Sequence, residues 1–258
     1  MLTIIATPIG NLDDISKRAI DSLNNADLIL CEDTRITKKL LDHYNIKKPV
    51  QSLHQHTDES KIRTFIHKLQ KDQNIAYVSD AGTPGVNDPG GKLTAEAHKA
   101  GITVSPIPGP SALTAAISVC GFPMEQFTYL GFAPTKKGRQ TFFKDVMERD
   151  EASIFFESTH RLLKALESLV DVGPSYAEAM EGRRETSDPP TLKLRRAGAG
   201  RGTSNVGRLI CVCREMTKIY ETIYRGTAQK VLMDIQNSSA KGESVIIVAP
   251  KKYNENNA

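Results

Sequence analysis

No run of about 18 consecutive apolar residues occurs in the chain, so no membrane-spanning helix is expected. The N-terminus lacks the basic, apolar and small-residue layout of a secretory signal. It runs straight into a strand-like segment, and the expected location is the cytoplasm. Cysteine is scarce and scattered: Cys31, Cys120, Cys211 and Cys213. Cys211-Val212-Cys213 puts two thiols on one face of a strand, but a metal site needs more ligands than that. No metal is expected, and the four read as reduced packing residues. Phosphate-binding loops are missing too. Gly85-Val86-Asn87-Asp88-Pro89-Gly90-Gly91-Lys92-Leu93 fails as a nucleotide-binding loop, because Gly91 stands where lysine is required and no Ser or Thr follows. Gly198-Ala199-Gly200-Arg201-Gly202 follows no strand and breaks the dinucleotide rule at position 203. Nucleotide hydrolysis and nicotinamide chemistry find no support.

Charge is low outside one stretch. The formal net charge is +4. Residues 173–208 hold seven Lys/Arg and four Asp/Glu, which is +3 of that total, so the rest carries about one net charge. Any RNA-binding surface elsewhere must be a local patch rather than a global field.

The 258 residues, 39% of them hydrophobic, suffice for one large domain or two small ones. The first half alternates two patterns. Strands are predicted at 2–6, 27–31, 49–53, 75–79 and 102–105, and helices at 14–24, 34–44, 58–71, 92–100 and 111–119. That rhythm implies a mostly parallel sheet. Gly121-Phe122-Pro123 interrupts it and marks a hinge, dividing the chain into domains 1–120 and 121–258. Strands follow near 127–131, 152–156, 208–213, 219–225 and 244–249, with helices at 138–149, 160–171 and 227–237. Residues 173–207, rich in Arg, Gly, Ser and Pro, read as an inserted segment with the composition of a disordered chain. It is either an RNA-gripping arm or an insert of no function.

Three loops carry the functional signal. Ser79-Asp80-Ala81-Gly82-Thr83-Pro84-Gly85-Val86-Asn87-Asp88-Pro89-Gly90 lies between a strand and a helix and is crowded with breakers. So many bare-backbone positions at the carboxyl end of a strand mark a ligand loop of an open α/β sheet. Ser105-Pro106-Ile107-Pro108-Gly109-Pro110-Ser111-Ala112 repeats the arrangement one βα unit later. There Ser111 is placed to cap a helix whose first-turn N–H groups suit a carboxylate or ribose hydroxyls. Thr7-Pro8-Ile9-Gly10-Asn11-Leu12-Asp13 breaks the first strand. Three such loops after three strands suggest one cleft.

These motifs resemble the tetrapyrrole-methylase superfamily. Within it they resemble the ribosomal RNA small-subunit methyltransferase I family, bacterial enzymes that 2′-O-methylate a cytidine of 16S ribosomal RNA. The resemblance rests on Ala6-Thr7-Pro8-Ile9-Gly10-Asn11-Leu12, Cys31-Glu32-Asp33-Thr34-Arg35, Ser79-Asp80-Ala81-Gly82-Thr83-Pro84, Pro108-Gly109-Pro110-Ser111-Ala112, Phe156-Glu157-Ser158 and Arg214-Glu215-Met216-Thr217-Lys218. It covers residues 1 to about 171 and about 210 to 250, with the motifs in the family's order. It implies two α/β domains with S-adenosyl-L-methionine in the cleft between them, a homodimer, and the small ribosomal subunit or its 16S RNA as partner. Carried over residue by residue, it implies that Pro8, Asp80, Gly82, Thr83, Ser111, Ala112 and Phe156 contact the cofactor, with Glu243 or Ser244 near the adenine.

The acceptor side is read from chemistry. A ribose 2′-hydroxyl is a weak acid, so a base or cation nearby helps. Glu32, Asp33 and Arg35 follow the second strand, His54 and His56 the third, and Glu157, His160 and Arg161 the strand at 152–156. Arg35, His54 and Glu32 are the catalytic candidates. Thr159 stands where the family usually has proline, which puts the role of His160 in doubt. The run Arg214–Lys218 is either an ion-paired strand end or a substrate wall. Two other functions share features with this sequence: C-methylation of a corrin precursor, against which the Cys31–Arg35 signature argues, and non-enzymatic RNA binding, against which the intact loops argue.

Overall fold

The computed structural model describes residues 1–54, 57–172, 207–237 and 242–253. The chain divides into two compact units. The first is Met1–Ala116 with Glu215–Glu221, and the second is Ile117–Arg214 with Thr222–Ala258. The inserted stretch predicted at 173–207 lies, apart from Gly207, outside the described residues.

The first unit holds strands β1 (Leu2–Ile5), β2 (Leu28–Cys31), β3 (Val50–Ser52), β4 (Ile75–Val78) and β5 (Val104–Ile107). They form one sheet in the order β3-β2-β4-β1-β5, and every neighbouring pair is parallel. Helices α1 (Lys17–Asn25), α2 (Thr34–His43), α3 (Glu59–Gln70) and α4 (Gly90–Lys99) connect them, and α5 (Ala112–Cys120) follows β5. Strand alternation sends side chains to both faces. Ile29, Cys31, Ala76 and Val78 pack with Ala19 and Leu23 of α1 and Leu40 and Leu41 of α2. Leu28, Leu30, Ile75 and Tyr77 pack with Ile62, Phe65 and Leu69 of α3 and Leu93 and Ala97 of α4. Burial on both faces explains why the strands read as unbroken apolar runs. Helix starts follow capping chemistry: Ser16, Asp33 and Asp58 accept from the N–H groups of Ala19, Arg35 and Ser60.

Several boundaries shift from expectation for local reasons. The helix expected from 14 starts at Lys17, because Leu12–Asp14 form a separate 3-10 turn and Ser16 caps the helix. Ile102 and Gly101 donate back to Ala97 and His98 and complete the end of α4, with Gly101 at φ +70°. Strand β5 therefore starts at Val104 rather than 102, and as an edge strand it tolerates Pro106. The predicted strand at 219–225 begins only at Thr222, because residues 215–221 form a loop that belongs to the first unit.

The second unit holds β6 (Phe127–Phe132), β7 (Ala152–Glu157), β8 (Leu209–Arg214), β9 (Thr222–Thr227) and β10 (Ser244–Val248) in the order β6-β7-β10-β8-β9. Only β6 and β7 run parallel; the other neighbours are antiparallel. Helices α6 (Arg139–Glu148), α7 (Leu162–Val172) and α8 (Ala228–Gln236) bury Phe143, Leu166 and Val231 against Phe155, Val212 and Ile246. Arg208, the last cation of the basic stretch, is structural. Its guanidinium donates to the carbonyls of Ala249 (2.6 Å), Val146 (2.7 Å), Arg149 (2.7 Å) and Glu151 (3.2 Å). Burial lowers its pKa to about 10.

Candidate functional site

All five strands of the first sheet point the same way, so the loops after them gather along one edge of it. Hydrogen bonds join these loops. Thr7 and Gly82 exchange backbone bonds of 3.0 Å in both directions, and the Thr7 hydroxyl donates to the Ser79 carbonyl at 3.1 Å. The Thr83 hydroxyl donates to the Pro110 carbonyl at 3.0 Å, tying the loop after β4 to the loop after β5. The Asp33 N–H donates to Asp80 Oδ1 at 2.9 Å, tying the same loop to the end of β2. Gly82 adopts φ +82°, with Ile9 and the Pro110 carbonyl close to where a Cβ would sit. Bare backbone is needed there for both reasons.

Within the loop after β4, Asp88 is the hub. It accepts from the Tyr77 hydroxyl at 2.9 Å and from the N–H groups of Gly85 and Gly90. A Cβ on Gly90 would lie 2.3 Å from the Tyr77 ring, so glycine is obligatory at the start of α4. A third segment closes on the first loop. The Asn11 N–H donates to Thr217 Oγ1 at 3.0 Å, and a Cβ on Gly10 would lie 2.6 Å from Lys218 Cγ and Thr217 Oγ1. Lys218 pairs with Glu215 at 2.9 Å, so the Arg214–Lys218 run is ion-paired, with Glu215 and Thr217 in left-handed conformations.

The edge is acidic. Burial, then Asp80 and Asp88, pushes the Glu32 carboxyl above its ordinary pKa, while His54 pulls it the other way. Burial also raises Asp80, against the bond from the Asp33 N–H. Asp33 goes in the opposite direction, to about 2, because Arg35 binds it through side chain and backbone. The Arg35 guanidinium contacts both Asp33 oxygens, at 2.6 Å for the shortest, yet stays 87% exposed.

Of the predicted residues, the structure brings Asp80 within electrostatic reach of Glu32, Arg35 and His54, and Glu32 within reach of His54, along the ends of β2, β3 and β4. His54 is exposed and its N–H donates to the Thr57 hydroxyl at 2.6 Å; His56 lies outside the described residues. Pro8, Gly82, Thr83 and Ser111 belong to the loops after β1, β4 and β5, and Ala112 opens α5. Phe156 and Glu243 belong to the second unit, on β7 and just before β10. Ser244 is buried, and its hydroxyl has no hydrogen-bond partner among the described residues.

Glu157 is unsuited to act as a base. It is fully buried and bonded to Arg139 and Arg161. Thr159 occupies its turn through a bond from the Gly242 N–H at 3.0 Å. Sequence reasoning named Thr7 and Asp88 only as parts of loops and motifs, with no role of their own. The signal for both was the density of breakers around them, which foretold a loop but not its internal partners.

Residues 1–232 match the family described as Tetrapyrrole (Corrin/Porphyrin) Methylases. The chain is 40% identical over 258 residues to "Ribosomal RNA small subunit methyltransferase I" of Escherichia coli O157:H7, covering 98% of this chain and 79% of that protein. It is 35% identical to the protein of that name from Thermotoga maritima, covering 97% and 99%. The chain belongs to the ribosomal RNA small-subunit methyltransferase I family of tetrapyrrole methylases. The fold agrees with this membership. A uroporphyrin-III-C-methyltransferase from Thermus thermophilus superposes with TM-score 0.57 at 14% identity, covering 97% of this chain and 94% of that one. The methyltransferase CobJ superposes with TM-score 0.59 at 16% identity, covering 96% and 93%.

Membership implies a methyl donor. Adenosylmethionine carries a fixed positive sulfonium, an ammonium group and a ribose diol. An edge holding Glu32, Asp33, Asp80 and Asp88, with backbone laid bare at Gly82, fits such a group in charge and in donor chemistry.

Proposed function

We propose that this methyltransferase moves a methyl group from adenosylmethionine to the 2′-oxygen of a cytidine in 16S ribosomal RNA. The observation that carries this reading is the acidic, hydrogen-bonded edge of the first unit, in a chain 40% identical to a small-subunit ribosomal RNA methyltransferase. Pro8, Asp80, Gly82, Thr83, Ser111 and Ala112 are the residues that would hold the cofactor. Phe156 and Glu243 are carried as cofactor contacts by family resemblance alone, and each is tested by its own substitution.

The cofactor supplies a methyl group on a sulfonium, already a strong electrophile, so the protein's task is in-line positioning and removal of one proton. Glu32 is the proposed base. Its raised pKa makes it a stronger base than an ordinary carboxylate, and it would take the proton from the ribose hydroxyl as that oxygen bonds to the methyl carbon and the carbon–sulfur bond breaks, releasing a neutral thioether. Arg35, aligned by Asp33 and largely exposed, offers a cation to an RNA phosphate. His54 lies near both carboxylates and can pass the proton to solvent. Reaching a ribose in folded RNA requires local opening of the strand.

Two measurements test this. Saturating adenosylmethionine, at about 100 times its Kd, should add about 2.7 kcal/mol of stability. The rate of methyl transfer to RNA should fall as pH drops through a value above the ordinary glutamate pKa of about 4.3. Glu32→Gln should be slow and lack that acid limb. A Glu32→Gln enzyme with the wild-type profile would remove Glu32 from the role. Activity on a corrin precursor with none on ribosomal RNA would replace the substrate.

A further inference from the structure

The second unit carries a concentrated positive surface that the chemistry above does not use. The loop from β6 to α6 contains Lys136 and Lys137, both exposed, and α6 opens on Arg139. Arg161 ends the short 3-10 turn Thr159–Arg161 after β7. The two arginines meet on one carboxylate. Glu157, fully buried, accepts from Arg139 Nη1 at 3.2 Å and pairs with Arg161 Nη2 at 2.8 Å. The same guanidiniums donate to the Pro134 carbonyl at 2.9 Å and the Ala133 carbonyl at 3.4 Å, so the base of the loop is pinned.

One carboxylate faces two guanidiniums, and no acidic residue occurs in 133–140 or 158–164. Lys136, Lys137, Arg139 and Arg161 against Glu157 leave a local charge of +3, in a chain with about one net charge outside residues 173–208. The α6 N-terminus adds to this field. Gly138 caps it at φ +81° with no side-chain cap bond, so the positive end of the helix dipole opens on the loop. Beside the loop, at the end of β6, Phe132 is 52% exposed and rests edge-on against Phe156 at 5.5 Å.

Paired surface lysines alone are ordinary solvated residues. A buried carboxylate that fixes two arginines, a pinned loop and an adjacent exposed ring make a different arrangement. Exposed lysines on a loop whose base is fixed suit phosphates along a backbone, and a flat ring suits an unstacked base.

We infer that the β6–α6 loop, its base fixed by Arg139 and Arg161, uses the exposed Lys136 and Lys137 to grip the phosphodiester backbone of a single-stranded RNA segment, while the exposed Phe132 at the end of β6 stacks one of its bases. This rests on the ribosomal RNA reading and deepens it by naming the surface that holds the substrate.

The test uses the full chain and a labelled single-stranded oligoribonucleotide of small-subunit ribosomal RNA sequence, titrated at several salt concentrations. Lys136→Ala/Lys137→Ala should lower the slope of log K against log salt by about 1.4, two contacts at about 0.7 each, and weaken binding about 25-fold at about 0.1 M salt. Phe132→Ala should weaken binding about tenfold with the slope unchanged, because stacking releases no ions. Lys251→Ala/Lys252→Ala removes the same charge from exposed residues of the same unit and should alter neither. Adenosylmethionine binding should be the same in both lysine variants. If Lys136→Ala/Lys137→Ala matches wild type, or if the Lys251/Lys252 variant loses as much, the assignment of the surface is overturned. If the wild-type chain binds adenosylmethionine but neither binds nor methylates RNA, the ribosomal RNA reading itself fails, which is a separate outcome.

Discussion

The two units solve the problem of presenting charge in opposite ways. In the first, a fully parallel sheet gathers its loops on one edge, and carboxylates crowd there: Glu32 and Asp80 are raised by burial, and Asp33 is lowered by Arg35. In the second, a mixed sheet ends β7 on Glu157, and a single buried carboxylate is surrounded by cations. One edge suits a small cation; the other surface suits a polyanion. The formal charge hides both, because outside residues 173–208 each unit is itself close to neutral, with 14 Lys/Arg against 15 Asp/Glu in the first and 13 against 11 in the second. Composition is therefore a weak guide to partners when charge is gathered into local patches within a nearly neutral unit.

The contrast is broken most directly at Asp80. Asp80→Asn keeps the oxygen that accepts from the Asp33 N–H but removes the charge. Adenosylmethionine affinity should drop on the order of 10²-fold by calorimetry, the range for losing a charged hydrogen-bond partner. Stability should move the other way. A carboxyl whose folded-state pKa lies above its unfolded value stabilises least once pH exceeds the raised value, so at pH 7 its charge is a cost. The Asp80→Asn chain should melt no lower than wild type at pH 7. A large fall in Tm would mean that Asp80 is structural.

Glu157 is the mirror experiment. Glu157→Gln leaves two guanidiniums facing each other without their shared carboxylate. Breaking a buried pair costs about 3–5 kcal/mol, and partial exposure of both arginines places this near about 3 kcal/mol by denaturant titration. Gly10→Ala should cost about 1–3 kcal/mol by overpacking, since a Cβ would strike Thr217, Lys218 and the Met216 carbonyl. Arg35→Ala should have the smallest effect on stability, with no measurable change in Tm, because the pair is exposed. Its signature is local. In an NMR titration the Asp33 carboxyl should rise from about 2 toward the ordinary range. In the wild type, the small contribution of that pair is present above the unfolded aspartate pKa and lost as pH falls toward about 2.

Much of the fold was legible because its signals are local. Apolar runs such as Leu28–Cys31 and Ile75–Val78 announce strands buried on both faces, and Ser16, Asp33 and Asp58 announce helix starts. The loop after β4 announced itself through Gly82, Pro84, Gly85 and Pro89. What stayed hidden depends on distant partners. Nothing near Gly10 in sequence foretells that residues 216–218 press against it, and Glu215 and Thr217 at positive φ carry no glycine to give them away. Glu157 read as one more carboxylate in a candidate site, because its burial depends on Arg139, eighteen residues earlier. The Asp88 hub was hidden for the same reason, since Tyr77 reaches it from inside β4.

The most direct test of the account is transfer of radiolabelled methyl from adenosylmethionine to small ribosomal subunits that lack the modification, followed by digestion and identification of the labelled nucleoside. The account predicts label in 2′-O-methylcytidine, strongly reduced in Asp80→Asn and reduced with a raised KM in Lys136→Ala/Lys137→Ala. Label in a base-methylated nucleoside, or no label from a chain that binds adenosylmethionine, would contradict it.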